Sequence, residues 1–481
     1  MGTFKSVDKL KQIAVSVDGG RRYPLLWLVL VMEVALGAVL GVRSTGALQA
    51  GDTALYAQEA LQTAAGDVSW LAGVHNFVYP AFLALLHALG LWSRLWVGVV
   101  QIALLYSASL VLMLVLSRCL RLRLVSTGVV VCGVVILPAA AWSGYWLSES
   151  LAAPLLLVVL ALWVLTCYRV LIRPAALSTA ATICALGLAS GLAWMTRPAL
   201  IWVPAVVGLM VGLMILASML LAGTRGHGLT ARLPLWAVSL MAAFLAGAAL
   251  AVIPQLALDQ NIGHLLKLDL AGGQFQGSSV VWRFNSNFSG CGPPPLVFSP
   301  LSGDVGTLAQ MVTPRSPLWG LTGVAAHLVS GWDPLPSPTY MTSFSVYPWI
   351  LVTLVSGFVC AAPFVASYRL AAEGRSLWAD RRLRGDVPVD ISRFAFAASV
   401  AGTVVFFGVT QLELLMTGTE FRFNLLGWLS AAVCLVFIIA SGWLSRKRLA
   451  LLLGVGVTMS AFILIIGQMT LFYSPYWIQC R

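Results

Sequence analysis

Residues 234–254 read PLWAVSLMAAFLAGAALAVIP, a run of 21 residues that contains no charged side chain. A helix needs about 20 predominantly apolar residues to cross the hydrocarbon layer of a membrane. Comparable runs recur along the chain, which is 59% hydrophobic, only 10% charged and has a mean hydropathy of +0.91. A soluble chain of this length typically has about a quarter of its residues charged. The sequence therefore predicts an all-α polytopic membrane protein and excludes a soluble enzyme.

The apolar runs predict about eleven transmembrane helices, in a range of 10–13 that allows for a short or re-entrant segment at 77–91. A net charge of +12 would suggest a nucleic-acid partner in a soluble protein, but 21 of the 29 Lys and Arg residues fall on one side of the predicted helices. Lys and Arg are enriched in cytoplasmic loops, so we expect a cytoplasmic N-terminus and no nucleic-acid partner. The predicted helices are 24–43, 96–116, 125–141, 151–168, 177–195, 200–222, 234–254, 347–367, 393–411, 424–442 and 450–472.

Two predicted outer segments are too long to be simple turns. The first, at about 44–95, contains amphipathic stretches at 54–65 and 78–91, which we expect to lie as juxtamembrane helices at the membrane interface. The second, near 255–346, includes an irregular patch at 287–295 whose Gly and Pro exclude a regular helix there. The predicted organisation is a transmembrane catalytic module at 1–255, an extracytoplasmic loop at 256–346 and C-terminal transmembrane helices at 347–481.

The cysteines indicate one disulfide bond. Of the eight cysteines, only Cys291 and Cys480 fall in predicted outer segments. Disulfides persist in oxidising compartments outside the cytoplasm. We therefore expect these two residues to bond and to join the C-terminal tail to the long second loop.

Ten of the 17 acidic residues fall on the predicted outer face, where we expect the functional site. Asp52 lies in Gly51-Asp-Thr-Ala-Leu-Tyr56, about nine residues after the first predicted helix. If the chain is helical from Thr53, then Asp52, Tyr56 and Glu59 share one helix face by i, i+4 and i+7 spacing. The alternative is that Asp52 only caps this helix by accepting a hydrogen bond from a backbone N–H.

Glu149, Arg197 and Arg422 are the other charged candidates at predicted outer ends of helices. Glu149 could serve the site, or it could only complement the dipole of the fourth helix, with the preceding serine as the cap. Arg197 lies in Trp194-Met-Thr-Arg-Pro198, and Arg422 lies in Thr419-Glu-Phe-Arg-Phe423. Each arginine could extend to lipid headgroups, or it could bind a phosphate with its planar guanidinium group.

These elements, in this order, resemble those of the GT-C glycosyltransferases, the broad group that includes protein O-mannosyltransferases and lipid A aminoarabinose transferases. Asp52-Thr-Ala-Leu-Tyr56 is similar to the family's acidic first loop, although relatives often have two adjacent acidic residues there. The other similar elements are His75-Asn-Phe-Val-Tyr-Pro-Ala-Phe-Leu83, Trp146-Leu-Ser-Glu-Ser-Leu151, Gly191-Leu-Ala-Trp-Met-Thr-Arg-Pro198 and Glu420-Phe-Arg-Phe423. The resemblance covers about the first 255 residues and the rest only loosely.

The resemblance implies a GT-C fold and an inverting transfer of a sugar from a polyprenyl-phosphate donor to a hydroxyl of a glycan, lipid or protein acceptor. The reaction would take place on the outer face of the membrane, among membrane lipids. A positioned carboxylate can take the proton of the attacking hydroxyl, and we expect Asp52 to be this base. We expect Arg197 and Arg422 to stabilise the negative charge of the leaving phosphate. The remaining expected site residues are Glu149, which would orient the acceptor or Tyr56, and the substrate-binding residues Tyr56, Glu59, His75 and Tyr79.

Two other functions remain as alternatives. A transporter or flippase of lipid-linked sugars would carry broken helices and charged groups near the bilayer midplane, where Glu33 is one of few candidates. An O-antigen polymerase or ligase would use arginines of its outer loops. The five histidines have no zinc-ligand spacing, so the residues predict no metal site, although some GT-C relatives use a divalent ion. Loops without a large soluble domain favour a bacterial inner membrane protein, and the predicted active site would face the periplasm.

Overall fold

The computed structural model describes residues 53–72, 75–120, 146–172, 177–223, 233–261, 356–372, 391–417, 425–440 and 454–461. The regular secondary structure of these residues is helical, and no strand occurs among them. Six of their helices are long and apolar enough to cross a membrane. The described part of the chain therefore has the architecture of a polytopic α-helical membrane protein.

In chain order the α-helices are α1 (Thr53–Ala64), α2 (Val78–Ala88), α3 (Arg94–Leu120), α4 (Glu149–Ile172), α5 (Leu177–Thr196), α6 (Trp202–Gly223), α7 (Leu233–Asp259), α8 (356–372), α9 (Ile391–Thr417), α10 (Leu425–Ala440) and α11 (454–461). Two short 3₁₀ helices, Ser69–Ala72 and Pro198–Ile201, follow α1 and α5.

The six candidate spans lie in α3 to α7 and in α9, and each corresponds to one predicted apolar run. Their ends differ from the predicted bounds by a few residues; α7, for example, continues beyond its apolar core to Asp259, and α6 begins at Trp202 because a 3₁₀ helix precedes it. α10 also corresponds to a predicted apolar run, at 424–442, but with 16 residues it is shorter than the six candidate spans. The predicted helices at 24–43 and 125–141 lie outside the described residues, as does most of the predicted loop at 256–346. The total of eleven transmembrane helices therefore stays a prediction.

α5 and α7 pack against each other at a closely spaced interface built on glycine. A Cβ atom on Gly187 of α5 would lie 2.1 Å from the carbonyl oxygen of Phe244, and one on Gly247 of α7 would lie 2.0 Å from that of Cys184. Small residues let helix backbones approach this closely within a membrane. Gly187 and Gly191, spaced four residues apart, present such a face on α5.

α1 and α2 are too short to cross a membrane, with 12 and 11 residues. They lie in the first long segment, where the sequence predicts juxtamembrane helices, and they pack on each other. α1 is followed by Gly66 at φ +82° and α2 by Gly90 at φ +73°. Glycine adopts this left-handed conformation at low cost, and it ends both helices with sharp turns. α1 and α2 therefore form a layer at one end of the helix bundle.

The opposite end of the bundle carries arginines. Arg118 lies in the last turn of α3 and Arg169 in the last turn of α4. The guanidinium group of Arg369, near the end of α8, lies 4.8 Å from the ring centre of Phe396 at the start of α9. The positive charge of the loops predicts that this end is cytoplasmic, and this orientation stays a prediction. The layer of α1 and α2 then lies on the predicted outer side.

Candidate functional site

Glu59 and His75 form a buried pair in the layer of α1 and α2. The Nδ1 atom of His75 lies 2.9 and 3.0 Å from the two carboxylate oxygens of Glu59. A carboxylate can only accept, so the hydrogen bond runs from an N–H at Nδ1 of His75 to Glu59. The two residues are 3% and 5% exposed, so water does not screen their interaction.

Tyr56 and Tyr79 pack around this pair. The His75 ring stacks on Tyr56 with ring centres 3.9 Å apart, and Tyr56 meets the edge of Tyr79 at 4.8 Å. Tyr56 and Glu59 reach the same cluster because they are three residues apart on one face of α1. The predicted common face of α1 is therefore confirmed for these two residues.

The hydroxyl group of Tyr79 contacts α3. The Nε2 atom of Gln101 donates a hydrogen bond to this hydroxyl at 2.9 Å, and both side chains are fully buried. Burial raises the pKa of Tyr79 well above its ordinary value; Tyr56 and, to a smaller extent, Glu149 raise it further, and the hydrogen bond from Gln101 lowers it in part. Tyr79 therefore keeps its proton and can act as a hydrogen-bond donor.

Glu149 and Arg197 form a second buried pair, which joins α4 to the junction between α5 and α6. The Nη1 atom of Arg197 lies 3.8 Å from Oε1 of Glu149, and the side chains are 7% and 6% exposed. The hydroxyl of Ser148 donates to the other Glu149 oxygen at 3.3 Å. Glu149 lies in the first turn of α4, so it also complements the helix dipole.

Pro198 explains the position of Arg197. A proline disfavours helical backbone at the residue before it, and Arg197 is extended, with φ −143° and ψ 117°. α5 therefore ends at Thr196, and the 3₁₀ helix begins with Pro198. Arg197 is 6% exposed within the protein, which is not the environment of a side chain that extends to lipid headgroups.

Two buried amides connect these pairs. The Nδ2 atom of Asn76 donates to the carbonyl oxygen of Trp194 at 3.0 Å, in the last turn of α5. The backbone N–H of Phe77 donates to Oε1 of Gln255 at 3.0 Å, near the end of α7. The Nε2 atom of Gln255 lies 3.5 Å from Oδ1 of Asn76. The segment 75–77 is thus held by α5 and α7 together.

The structure brings six of the predicted site residues to one end of the bundle: Tyr56, Glu59, His75, Tyr79, Glu149 and Arg197. The predicted base Asp52, the predicted phosphate ligand Arg422 and the predicted disulfide of Cys291 with Cys480 lie outside the described residues.

Gln101, Asn76 and Gln255 are not among the residues that the sequence predicts for the site. Gln101 and Gln255 interrupt predominantly apolar helices, and a polar side chain in such a helix usually faces the protein interior. This signal could have identified both glutamines. Asn76 lies in a segment without regular periodicity, and nothing in the sequence distinguishes it.

Among the described residues no group of three or more His, Cys, Asp and Glu side chains is placed to hold a metal ion. A divalent ion, which the family resemblance allows, stays a prediction. Comparison of the whole chain with protein families, with curated proteins and with solved structures finds no match.

Proposed function

We propose that this chain is a GT-C-type inverting glycosyltransferase. It moves a sugar from a polyprenyl-phosphate donor to an acceptor hydroxyl on the outer face of the membrane. The observation that carries the proposal is the convergence of two buried pairs, Glu59 with His75 and Glu149 with Arg197, at one end of an apolar helix bundle. His75, Glu149 and Arg197 lie in three separate sequence elements that resemble GT-C elements, and Glu59 lies three residues after a fourth, Asp52–Tyr56.

Burial of this many ionisable groups favours a functional role. Transferring charged groups out of water is costly, and a buried ion pair often stabilises a protein no more than apolar residues of the same volume would. Glu59, His75, Glu149 and Arg197 are each at most 6% exposed. Their retention at one end of an otherwise apolar bundle is the pattern expected of a site.

The groups suit the chemistry of a phosphate leaving group. As the glycosidic bond to phosphate breaks, negative charge develops on the phosphate oxygens, and a fixed cation in a site that excludes water stabilises it. Arg197 supplies that cation, with its neighbour Glu149 limiting the excess positive charge before the donor binds. Tyr79, which keeps its proton, supplies a neutral donor. The proton of the attacking hydroxyl passes to a carboxylate, for which the sequence predicts Asp52.

A direct assay is the release of free polyprenyl phosphate. Purified protein in detergent or liposomes would be incubated with a total lipid extract of the source cells, and the extract would be analysed by mass spectrometry before and after incubation. A transferase produces free polyprenyl phosphate and a glycosylated acceptor. Unchanged lipid-linked sugar, with transport of that lipid between leaflets of a liposome, would instead establish the transporter alternative.

Two variants compare a buried residue of the candidate site with an exposed residue of the same segment. Glu59→Gln removes the charge that His75 contacts and is expected to lower product release on the order of tenfold or more. Asp67→Asn changes an exposed acidic residue that accepts a hydrogen bond from the backbone N–H of Ser69, and it is expected to leave product release unchanged. Equal activity of the two variants would contradict the proposed site.

A further inference from the structure

We propose that Gln255 and Asn76 form an amide clasp that positions the reacting groups. Through the clasp, α5 and α7 fix His75 and Tyr79 relative to Arg197. The inference rests on the proposed function for what the clasp positions. Neither amide belongs to the set of predicted substrate-binding residues, so both are positioning residues and not catalytic ones.

The clasp joins parts of the chain that are far apart in sequence. Asn76 donates to the carbonyl oxygen of Trp194, which is 118 residues away, and the N–H of Phe77 donates to Gln255, which is 178 residues away. Gln255 also approaches Asn76 directly, with Nε2 and Oδ1 3.5 Å apart. The clasp is thus a connected set of polar contacts between the layer of α1 and α2 and two long apolar helices.

The clasp amides are buried, so the protein itself has to supply their hydrogen-bond partners. Asn76 is 0% exposed and Gln255 is 1% exposed. A buried amide without hydrogen-bond partners is costly, and the cost falls on any arrangement in which the clasp is broken. A displacement of α7 or of the segment 75–77 leaves several polar groups unsatisfied at once. The segment therefore has one strongly favoured position relative to α5 and α7.

The clasp residues are close in sequence to residues of the candidate site, so the clasp affects where those residues lie. His75, which bonds to Glu59, is the residue next to Asn76, and Phe77 lies two residues before Tyr79. On the other side, Trp194 lies three residues before Arg197 in the last turn of α5. The groups expected to contact the leaving phosphate, Tyr79 and Arg197, are therefore held at a fixed separation through the clasp.

The central test compares Gln255→Met with Ile253→Met. Methionine is close to glutamine in length but cannot hydrogen-bond as an amide, so Gln255→Met opens the clasp. Ile253 lies on the same helix and is 52% exposed, so Ile253→Met controls for a new methionine in α7. The expected result for Gln255→Met is a kcat lower by roughly tenfold to a hundredfold, with donor affinity within about threefold, because reacting groups misplaced by about 1 Å lose rate on this scale. Wild-type kcat in a folded Gln255→Met protein would overturn the inference.

A double variant distinguishes one clasp from two independent structural contributions. Asn76→Leu and Gln255→Met should each lower kcat, and the double variant should lose little more than the worse single variant, because the contacts act as a unit. Losses that multiply would refute a joint clasp. Thermal unfolding of each variant establishes that it is folded. If Gln255→Met does not fold, Gln255→Asn takes its place, since it keeps the amide but is one carbon shorter.

Hydrogen exchange at the Phe77 amide tests the clasp without any assay of transfer. Gln255→Met removes the acceptor of this N–H, and its exchange is expected to accelerate roughly twofold to tenfold, the equivalent of one lost hydrogen bond. Ile253→Met should leave the exchange unchanged. Unchanged exchange in Gln255→Met would refute the clasp whatever the protein catalyses. Faster exchange in Gln255→Met, together with no transferase activity in the wild-type protein, would reject the proposed function and retain the clasp.

Discussion

Replacing Gly247 with alanine places a methyl group 2.0 Å from the carbonyl oxygen of Cys184 and 2.9 Å from the backbone nitrogen of Leu188. Ordinary contact with a Cβ atom begins at 3.4 Å, so the backbone of α7 has to move away from α5 by about 1.4 Å. Both opposing atoms belong to helix backbone and cannot rotate aside. Overpacking of this kind costs about 1–3 kcal/mol. We expect Gly247→Ala to unfold at a lower temperature than the wild-type protein in detergent.

Gly212→Ala is the matched control. Gly212 also lies within an apolar helix, α6, and a Cβ atom there meets no other heavy atom within 4 Å. Alanine is favoured over glycine in a helix interior by roughly 0.5–1 kcal/mol. This variant is therefore expected to be at least as stable as the wild-type protein. Equal unfolding midpoints for Gly247→Ala and Gly212→Ala would refute the close approach of α5 and α7.

The same substitution has an expected effect on the site. α5 leads to Arg197 and α7 carries Gln255, so a shift between the two helices moves Arg197 relative to the segment 75–77. We expect Gly247→Ala to lower polyprenyl phosphate release roughly tenfold to a hundredfold in the fraction that remains folded. Gly212→Ala should retain wild-type release.

Asp52→Asn is expected to reduce turnover on the order of a hundredfold or more with donor binding retained, because asparagine cannot take a proton. If Asp52 only caps α1, asparagine is nearly as good a cap and turnover stays close to normal. Arg197→Ala is expected to weaken donor binding as well as turnover, since a phosphate ligand acts in the ground state too. Titration of donor binding in both variants separates the two effects, and unimpaired donor binding in Arg197→Ala would remove its phosphate role. For Cys291 and Cys480, peptide mapping without reductant should find one disulfide-linked peptide, and two free thiols would exclude the bond.

Much of the helical architecture could be predicted from the sequence, because the hydrocarbon layer selects long apolar runs and each described span is one of them. The predicted helix ends are less accurate, because α7 and α9 continue into polar residues, which lie outside the apolar runs used for the prediction. The pairing of α5 with α7 was not predicted. It depends on backbone approach at Gly187 and Gly247, and the spacing of Gly187 and Gly191 alone does not name the partner helix.

The sequence predicts many residues of the candidate site, but only some of the contacts between them. Glu149 and Arg197 were separate candidates in the sequence, and their pairing follows from the backbone turn that Pro198 imposes. Glu59 and His75 are 16 residues apart, with no helical periodicity between them, so their contact needed the fold. The functional expectations came from the order of short motifs. That order suggests a chemistry but does not specify which side chains touch.

The burial of the site has a consequence for chemical modification. Glu59, His75 and Arg197 are each at most 6% exposed, whereas His87 on α2 is exposed. Diethyl pyrocarbonate dissolved in water should therefore acylate His87 in the resting protein well before His75. Modification of His75 requires the layer of α1 and α2 to separate from the bundle. Its rate would report how often the protein opens.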